Sequence, residues 1–368
     1  MPLHDSAAPI ESVAVDCYTI PTEKPESDGT LEWSSTTLVL VRIRAGGQLG
    51  LGYGYADSAT ARLVHDRLAP LLAGRDALAT NARWRDMVTA LRNLGQPGIC
   101  AMAVSAVDTC LWDLKAKCLG LSLATLLGKA RTAVPAYGSG GFTSYSVAEL
   151  QEQLGGWARA GFGMVKMKIG REPEADAERV RLAALAIGKN TRLFVDANGA
   201  YERKQALAFA ERFAEQQVRW FEEPVSSDDL AGLRLLRDRG PAGMAISAGE
   251  YGYDLGYFRR MLEAGAVDIL QADATRCSGV TGFLGVAALC EAFRVPLSSH
   301  CAPALHLPLC CACRPAIHLE WFHDHARIEG MLFDGARKPR DGMLASDDGR
   351  PGLGIEFKEG DAACFKVS

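Results

Sequence analysis

The chain has 368 residues, of which 48% are hydrophobic and 23% are charged, and its formal net charge at pH 7 is −4. These proportions are typical of a globular protein with a sizeable core, and the length accommodates a closed α/β barrel of roughly 250 residues plus one smaller domain. No run of five or more like charges occurs, which argues against nucleic acid or an anionic membrane as a partner and favours a small molecule.

The N-terminal segment shows no targeting signal. Residues 1–12 lack a basic region followed by an apolar stretch, and no run of about 18 apolar residues occurs in the chain. We therefore expect a cytoplasmic protein with no membrane partner. The eleven cysteines are an odd number and are scattered, as is typical of buried thiols. The cluster Cys310-Cys311-Ala312-Cys313 lacks a second thiol pair that would complete a zinc site.

Residues 1–130 predict an α+β domain. Thr37–Ile43 is rich in β-branched and aliphatic residues, Ala45-Gly46-Gly47 predicts a turn, and Leu49–Tyr55 predicts a return strand. Residues 59–128 have helical periodicity with few helix breakers. An antiparallel hairpin followed by helices is typical of an α+β domain.

Two further segments are expected to belong with this domain. We expect the loop Pro21–Ser35, with Trp33, and the tip around Tyr53 and Tyr55 to form a lid that determines substrate selectivity. Residues 341–368 have Gly-rich turns and no further strand–helix repeat, so we expect them to fold back onto the opening domain. The predicted capping domain therefore comprises 1–130 with 341–368, and the predicted barrel comprises 131–340.

After residue 131, short apolar strands alternate with amphipathic helices, which are clearest over Ser146–Ala160 and Pro173–Ile187. Eight strands are predicted, at Pro135–Gly138, Met164–Lys168, Arg192–Val195, Arg219–Glu222, Ala245–Ala248, Ile269–Gln271, Pro296–Ser299 and Ala316–Leu319. Right-handed βα repeats of this number close a barrel. The predicted fold is a (β/α)7β-type modified TIM barrel with an α+β N-terminal capping domain completed by the C-terminal segment.

Ionisable residues recur where each barrel strand is expected to end. They are Lys168, Asp196, Glu222, Glu250, Asp273, His300 and Glu320. The carboxyl ends of barrel strands meet at one face, where barrel enzymes place their chemistry. An apolar strand that stops on a carboxylate has no packing reason to do so, and this pattern therefore predicts an active site.

Three of these residues, Asp196, Glu222 and Glu250, predict a metal site. They end successive strands, so they would converge if the barrel closes, and three bare carboxylates would raise one another's pKa values. A bound divalent cation resolves the repulsion, and ligation by oxygen alone favours Mg²⁺. The alternative is that each carboxylate forms an unrelated salt bridge.

The other strand ends supply candidate acids and bases. Strand alternation sends Lys166 and Lys168 to the same interior face. We expect the second ammonium group and the divalent metal together to lower the pKa of Lys168, so that it can act as a base. Asp273 lies one strand before His300 and is expected to bond to one imidazole nitrogen. Glu320 could donate a hydrogen bond to an enolate oxygen if it is kept protonated.

The chain resembles the enolase superfamily, mandelate racemase subgroup, over nearly its whole length. The matching stretches are Val165–Lys168, Val195–Asn198, Trp220–Pro224, Ala248–Glu250, Leu270–Asp273 and Ser298–His300, together with Ala106–Leu114 and Leu126–Gly128 in the opening domain. Ala272 and Ser278 depart from the proline and glycine that the family often has, without affecting the chemistry.

The resemblance implies a role for each strand end. Asp196, Glu222 and Glu250 would hold Mg²⁺, Lys168 would be one acid/base and His300, paired with Asp273, would be the other. Lys166 would tune Lys168 and contact the substrate carboxylate, and Glu320 would lie on the enolate side. Independently of the resemblance, Asn198, Tyr55 and Trp33 are also expected to bind substrate. The resemblance also implies a symmetric homo-oligomer, from dimer to octamer.

The implied reaction removes the proton α to a carboxylate and passes through an enediolate. Dehydration of an aldonic or aldaric sugar acid to a 2-keto-3-deoxy acid is the favoured outcome, and racemisation or epimerisation of a 2-hydroxy acid is the alternative. A Schiff-base aldolase and a metal- and ligand-binding relic without turnover also stay open. His323 and His325 lie just past the last strand and are not expected to bind metal.

Overall fold

The computed structural model describes residues 8–367, so part of the segment 1–12 and Ser368 lie outside the described residues. Within that range, no helix combines the length and the apolar character needed to cross a membrane. The chain opens with a three-stranded antiparallel sheet in the order β1-β2-β3. Its strands are β1 (Ile10–Ser27), β2 (Glu32–Ala45) and β3 (Gln48–Tyr55).

The opening sheet is longer than the sequence predicted, and the expectation of a loop over Pro21–Ser35 is wrong. Pro21 pairs with Ser35 and Glu26 pairs with Trp33, so only residues 28–31 separate the strands. Pro21 and Pro25 fit within this hairpin because β1 is an edge strand with a register shift between Pro21 and Glu26, where prolines are tolerated. The predicted lid is therefore a hydrogen-bonded hairpin.

Helices cover one face of this sheet. They are α1 (Ala59–Leu63), α2 (Ala69–Leu72), α3 (Thr80–Leu91), α4 (Ile99–Cys118) and α5 (Leu123–Leu126), with a π-helical turn over 64–68 and a 3₁₀ turn over 92–94. The long helix α4 lies directly on β3. A Cβ atom at Gly50 would lie 2.6 Å from the carbonyl oxygen of Cys110, and one at Gly52 would clash with that of Ala106. Glycine at both positions lets the helix backbone approach the strand.

Eight parallel strands then form the barrel, which β11 closes by pairing with β4. They are β4 (Ala133–Gly140), β5 (Met164–Lys168), β6 (Arg192–Asp196), β7 (Trp220–Glu222), β8 (Ala245–Ala248), β9 (Ile269–Ala272), β10 (Leu297–Ser299) and β11 (Ala316–Phe322). The connecting helices are α6 (Val147–Arg159), α7 (Pro173–Ile187), α8 (Arg203–Glu215), α9 (Leu230–Arg239), α10 (Leu255–Glu263), α11 (Gly279–Phe293) and α12 (Pro303–Ala312). Seven strand–helix units and a final strand confirm the predicted (β/α)7β barrel.

Three aromatic side chains, here called the aromatic floor, fill the barrel interior below the strand ends. Tyr137, Phe194 and Trp220 pack together, and the rings of Phe194 and Trp220 stack with centroids 5.2 Å apart. Phe194 and Trp220 each precede a strand-end carboxylate by two residues, so alternation places Asp196 and Glu222 on the same interior face above them. The floor therefore separates the strand-end carboxylates from the barrel interior below them.

The end of the chain is shared between the two parts of the molecule. It contains α13 (His323–Leu332), β12 (Phe333–Asp334), β13 (Met343–Ala345), β14 (Glu356–Phe357), α14 (Glu359–Ala362) and a 3₁₀ turn over 363–365. Strand β13 pairs antiparallel with the beginning of β4 and so extends the barrel sheet. Residues beyond it contact the opening part, where Leu353 donates to Asp113 and Lys366 bridges to Tyr18. The boundaries at residues 130 and 340 stay a prediction.

A buried carboxylate joins these segments. Asp113 on α4 accepts the backbone N–H of Leu51 at 2.8 Å and that of Leu353 at 2.7 Å, and it pairs with Lys117 at 2.7 Å. The single side chain therefore fixes β3 and the C-terminal segment against α4.

We predict that Asp113→Asn lowers the free energy of unfolding by about 2–3 kcal/mol, because the amide presents an N–H group to one of the two backbone donors. Urea unfolding measures the change. Glu152→Gln, which alters an exposed pair with Arg159, is the matched control and should stay within about 0.5 kcal/mol of the parent. Equal unfolding free energies for Asp113→Asn and the parent would contradict the assigned role.

Candidate active site

The predicted strand-end residues lie together at the carboxyl ends of the barrel strands. Lys168, Asp196 and Glu222 are the last residues of β5, β6 and β7, and the other four lie within β11 or within two residues past β8, β9 and β10. A cavity of about 640 Å³ opens above them. Its lining includes Lys168, Asn198, Glu250, His300 and Glu320 from the barrel, and Trp33 and Tyr55 from the opening sheet.

The three predicted metal ligands are close enough to hold one ion. Asp196, Glu222 and Glu250 are buried, and one carboxylate oxygen from each lies within 4.8 Å of the others. Oε2 of Glu250 has no hydrogen-bond partner among the described residues. Nε1 of Trp220 donates to Oε2 of Glu222 at 2.8 Å and orients that carboxylate. A buried set of three carboxylates with a free oxygen fits a hard divalent cation.

The carboxylates of this cluster differ electrostatically. Burial alone would raise the pKa of Asp196, but Lys168 and Lys166 outweigh it and hold that pKa below its ordinary value. Burial, followed by repulsion from Asp196, raises the pKa of Glu222 to about 8. Two adjacent carboxylates thus resist being ionised together, which is the condition that a shared cation relieves.

Lys166 is buried and bridges two of the strand-end carboxylates. Its Nζ atom lies 2.6 Å from Oε1 of Glu222 and 2.8 Å from Oε1 of Glu320. Burial would lower the pKa of Lys166, but Glu222 and Glu320 outweigh burial and raise it well above the ordinary value. Lys166 is therefore a fixed positive charge.

Lys168 forms an ion pair with Asp196 and donates to Oδ1 of Asn198 at 3.1 Å. Without a cation on the carboxylates, the pKa of Lys168 is raised, because Asp196 outweighs burial and the charge of Lys166, which both act to lower it. The lowered pKa that sequence analysis predicts beside Lys166 and a bound divalent metal stays a prediction. Asn198 adopts the left-handed backbone conformation, φ 47°, which places its side chain beside the lysine.

His300 is oriented by Asp273, as the sequence predicted. Nδ1 of His300 lies 2.8 Å from Oδ2 of Asp273, and Nε2 faces Oε2 of Glu250 at 3.3 Å. Burial alone would lower the pKa of His300, but Glu250 and Asp273 outweigh burial and raise it. In the closed barrel, β10 is three strands from β5 in one direction and five in the other, so His300 and Lys168 approach the cavity from nearly opposite sides.

Glu320 is an ionised acceptor, and the prediction of a protonated donor is wrong. Its Oε2 accepts the backbone N–H of Cys301 at 2.7 Å, and its Oε1 pairs with Lys166 at 2.8 Å. Burial alone would raise the pKa of Glu320, but Lys166, followed by His300, lowers it. Both oxygens of this carboxylate therefore receive hydrogen bonds.

Residues 28–37 and 55–57, here called the capping wall, bring the opening sheet over the cavity. Trp33 packs edge-on against Phe142, with ring centroids 5.8 Å apart, and donates to Oε2 of Glu26 at 3.0 Å. Tyr55 lines the cavity, and its hydroxyl oxygen has no partner among the described residues. Tyr53 does not belong to the predicted lid, since it is buried and donates to Glu329 at 2.6 Å.

The two histidines after the last strand occupy different surroundings. His325 stacks on Tyr55, with ring centroids 3.4 Å apart, and burial lowers its pKa to about 3. His323 lies 3.1 Å from Glu23 near the surface. The clusters of three or more potential metal ligands found among residues 8–367 include neither histidine.

The structure adds two cavity residues that sequence analysis did not select. Arg276 lies 3.5 Å from Oε1 of Glu250 and 3.8 Å from Oδ2 of Asp273, and so links a predicted metal ligand to the histidine pair. Cys301 lies 3.2 Å from Nε2 of His300. A signal for both was available, because each is within three residues of a strand-end ionisable group.

Comparison with known proteins identifies relatives over nearly the whole chain. Residues 149–361 match the family model described as "Enolase C-terminal domain-like", and residues 15–128 match the "Mandelate racemase / muconate lactonizing enzyme, N-terminal domain". A 3,6-anhydro-alpha-L-galactonate cycloisomerase from Streptomyces coelicolor is 34% identical, covering 79% of this chain and 82% of its own.

Solved structures are similar in fold. A mandelate racemase/muconate lactonizing enzyme-like protein from Rubrobacter xylanophilus is 55% identical with a TM-score of 0.96, covering 98% of this chain and all of its own. L-talarate/galactarate dehydratase from Salmonella typhimurium, liganded with Mg and L-lyxarohydroxamate, is 26% identical with a TM-score of 0.91. That match covers 100% of this chain and 95% of the dehydratase. The similar proteins thus include sugar acid dehydratases and cycloisomerases.

The buried carboxyl behind Trp33 gives a pH-dependent prediction. Burial, followed by the charge of Asp324, raises the pKa of Glu26 to about 8. Because this folded-state pKa lies above the unfolded value of about 4.3, the contribution of Glu26 to stability is present below pH 4 and is lost as pH rises through 8.

We therefore predict that Glu26→Gln matches the parent at pH 4 and exceeds its free energy of unfolding at pH 9 by on the order of 3 kcal/mol. Urea unfolding at both pH values measures the difference. Glu32→Gln alters an exposed side chain of the same hairpin and should show no comparable change between the two pH values. A pH-independent difference for Glu26→Gln would contradict the prediction.

Proposed function

The chain belongs to the mandelate racemase/muconate lactonizing enzyme family of the enolase superfamily, and on this premise we propose that it is a metal-dependent acid-sugar dehydratase. The reaction removes the proton α to the carboxylate and expels the β-hydroxyl as water, giving a 2-keto-3-deoxy acid. One observation carries the proposal: an amine and an imidazole flank the buried carboxylate cluster from nearly opposite sides of one cavity.

Asp196, Glu222 and Glu250 would hold Mg²⁺, and the magnesium-bound structures of relatives support this choice. When bound, the ion would neutralise these carboxylates and so weaken the attraction of Asp196 for the Lys168 ammonium group. It would also acidify the proton on the carbon next to the substrate carboxylate. Lys166 adds a fixed positive charge at the same end of the cavity.

Lys168 and His300 move the protons. The group on the α-hydrogen side of the substrate takes that proton, and the group on the other side protonates the departing β-oxygen. The contact with Asp273 stabilises the imidazolium that His300 forms when it takes a proton. Oε2 of Glu320 lies 4.0 Å from Nε2 of His300, and Oε1 of Glu320 pairs with the Lys166 ammonium group and fixes its position.

The leaving group separates the candidate reactions. The relatives that support dehydration include L-talarate/galactarate and arabinonate dehydratases, at 28% identity. Cycloisomerisation is a second candidate, because the 34% identical relative acts on a 3,6-anhydro sugar acid. In such an acid the oxygen on the β-carbon belongs to a ring, and its expulsion by the same two residues opens that ring. Racemisation or epimerisation would use both residues with no leaving group.

A Schiff-base aldolase and a relic without turnover receive less support. Aldolase chemistry needs an unpaired, neutral lysine, whereas Lys168 is paired with Asp196, and its pKa is raised mainly by that carboxylate acting against burial. A relic would lack an acid or a base, whereas this cavity has both. The predicted homo-oligomer stays a prediction.

We predict that Lys168→Ala and His300→Asn each lower kcat by about 10²- to 10⁴-fold, because each removes one proton-transfer group. The assay is keto-acid formation from a panel of sugar acids with Mg²⁺. Only the variant that keeps the base should still exchange the substrate α-proton with deuterated solvent.

Lys189→Ala, at an exposed position outside the cavity, is the control and should retain parental activity. A chelator should abolish turnover. Turnover that persists in a chelator and is trapped by borohydride would instead identify the aldolase, and parental activity in both active-site variants would refute the assigned roles.

The capping wall favours monoacids over diacids. Asp28 and Asp57 place carboxylates on it, together with hydroxyl groups such as that of Thr37. The described residues that line the cavity include one lysine, Lys168, and one arginine, Arg276. Both are already paired with carboxylates near the strand ends. A second carboxylate on the far end of the substrate would therefore meet like charge.

We predict that galactonate is used at least about tenfold more efficiently than galactarate, measured as kcat/KM, a difference of about 1.4 kcal/mol. The two acids share stereochemistry at C2 to C5 and differ in oxidation at C6. Asp57→Asn removes a negative charge from the capping wall and keeps an acceptor for the Ala59 N–H group. It should therefore reduce the ratio of kcat/KM for galactonate to that for galactarate. A ratio favouring galactarate would contradict this preference without affecting the proposed chemistry.

A further inference from the structure

A second group of potential metal ligands lies in the same cavity. His300, Cys301 and Glu320 each offer one ligand atom, and the three atoms lie within 4.8 Å of one another. Nε2 of His300 is 3.2 Å from Sγ of Cys301 and 4.0 Å from Oε2 of Glu320. All three residues line the cavity, so an ion can reach them. This group differs chemically from the carboxylate cluster because it contains a nitrogen and a sulfur.

Neighbouring residues orient two of these ligands. Nδ1 of His300 contacts Asp273 at 2.8 Å, which leaves Nε2 available on the cavity side. The arrangement of carboxylate, histidine and ligand position is the one that orients metal-binding histidines. Glu320 is held by Lys166 at 2.8 Å and by the N–H of Cys301 at 2.7 Å, and the second lone pair of each oxygen is available.

The backbone fixes the third ligand. Cys301 and Ala302 adopt left-handed conformations, with φ values of 53° and 38°, before the proline that begins α12. The turn lets one residue serve two contacts, with its N–H directed at Glu320 and its sulfur beside His300.

We propose that His300, Cys301 and Glu320 form a second metal site, selective for a thiophilic divalent ion such as Zn²⁺, and that its occupation blocks the active site. Three ligands of N, S and O type with one open position are typical of zinc, whereas Mg²⁺ disfavours sulfur. Two ligands of a tetrahedral zinc ion, one N and one S, lie about 3.5 Å apart. The separation in the structure is 3.2 Å.

The chemistry of binding follows from the thiol. Burial, followed by the charge of Glu320, raises the pKa of the Cys301 thiol well above its ordinary value, so the free protein carries a neutral S–H group. Zinc replaces that proton, forming the Zn–S bond and releasing the thiol proton to solvent. The ion also takes the lone pair on Nε2 of His300, and where the imidazole is protonated this releases a second proton to solvent. With zinc bound, Nε2 can neither accept nor donate a proton.

The sites are adjacent but separate. Oε2 of Glu250, from the carboxylate cluster, lies 3.3 Å from Nε2 of His300. A substrate bound between Lys168 and His300 would therefore contact the space that zinc takes. We expect zinc inhibition to compete with substrate and to persist in saturating Mg²⁺.

The experiment uses the full chain in excess Mg²⁺, titrated with Co²⁺ as a spectroscopic substitute for zinc. A cobalt–thiolate charge-transfer band in the near ultraviolet should appear with one equivalent of Co²⁺ and should be lost in Cys301→Ser and Cys301→Ala. Zinc affinity, measured by calorimetry, should fall at least about tenfold in both variants. Cys364→Ser, at an exposed cysteine, is the matched control and should keep the band.

The absorption experiment requires no turnover, so its outcome is independent of the proposed reaction. A band that survives in both Cys301 variants, or that is lost in Cys364→Ser, would overturn the proposal. Zinc binding that excess Mg²⁺ displaces completely, without any thiolate band, would also overturn it and would place zinc on the carboxylate cluster.

Discussion

The ammonium group of Lys166 lies buried between Glu222 and Glu320, and the polar side chains above the aromatic floor depend on this contact. Buried carboxylates are costly unless cations or hydrogen bonds compensate them, and removal of one partner leaves an unpaired charge in the interior. Lys166 compensates two of them and lowers the pKa of a third, Asp196. The remaining negative charge of the cluster is what a divalent ion would balance.

The same electrostatic arrangement explains how the two proposed proton-transfer groups can share one cavity. Lys168 pairs with Asp196, and His300 pairs with Asp273. Each of the two groups is therefore oriented by a carboxylate of its own, independently of the other group. The proposed chemistry is consequently symmetrical about the substrate. Under that proposal, the configuration at the α-carbon determines which of the two groups acts as base, and the group that leaves the β-carbon determines the reaction class.

Much of the barrel could be predicted from the sequence because its strands are short, apolar and closed by ionisable residues. The positions of strand-end residues such as Asp196 and Glu222 were predictable. Alternation along the strand puts their side chains on the interior face of the barrel, and the closed sheet brings the strand ends together. The edge strand β1 was not predicted, and its pairing across Pro21 and Pro25 depends on a register shift that no local pattern indicates.

The protonation states were harder to predict, because they depend on distances between strands that no local pattern contains. The sequence offered only cationic neighbours for Lys168 and no identified neighbour for Glu320, whereas the structure surrounds each with several charged groups whose effects on its pKa compete. Cys301 was treated as one buried thiol among eleven because its proximity to His300 arises from a left-handed turn. Its position next to His300 was visible in the sequence, but the left-handed turn that brings its sulfur beside the imidazole was not.

The register shift in β1 also has an evolutionary consequence. Between Pro21 and Glu26 the strand already carries residues outside the regular pairing, while Val13 to Pro21 remain paired with β2 in unbroken register. Insertions or deletions at this irregularity would alter how far the hairpin reaches over the cavity, without changing the strand register of the rest of the sheet. Descendants of such a chain could thus acquire new substrates by changing a few residues far in sequence from every proton-transfer group.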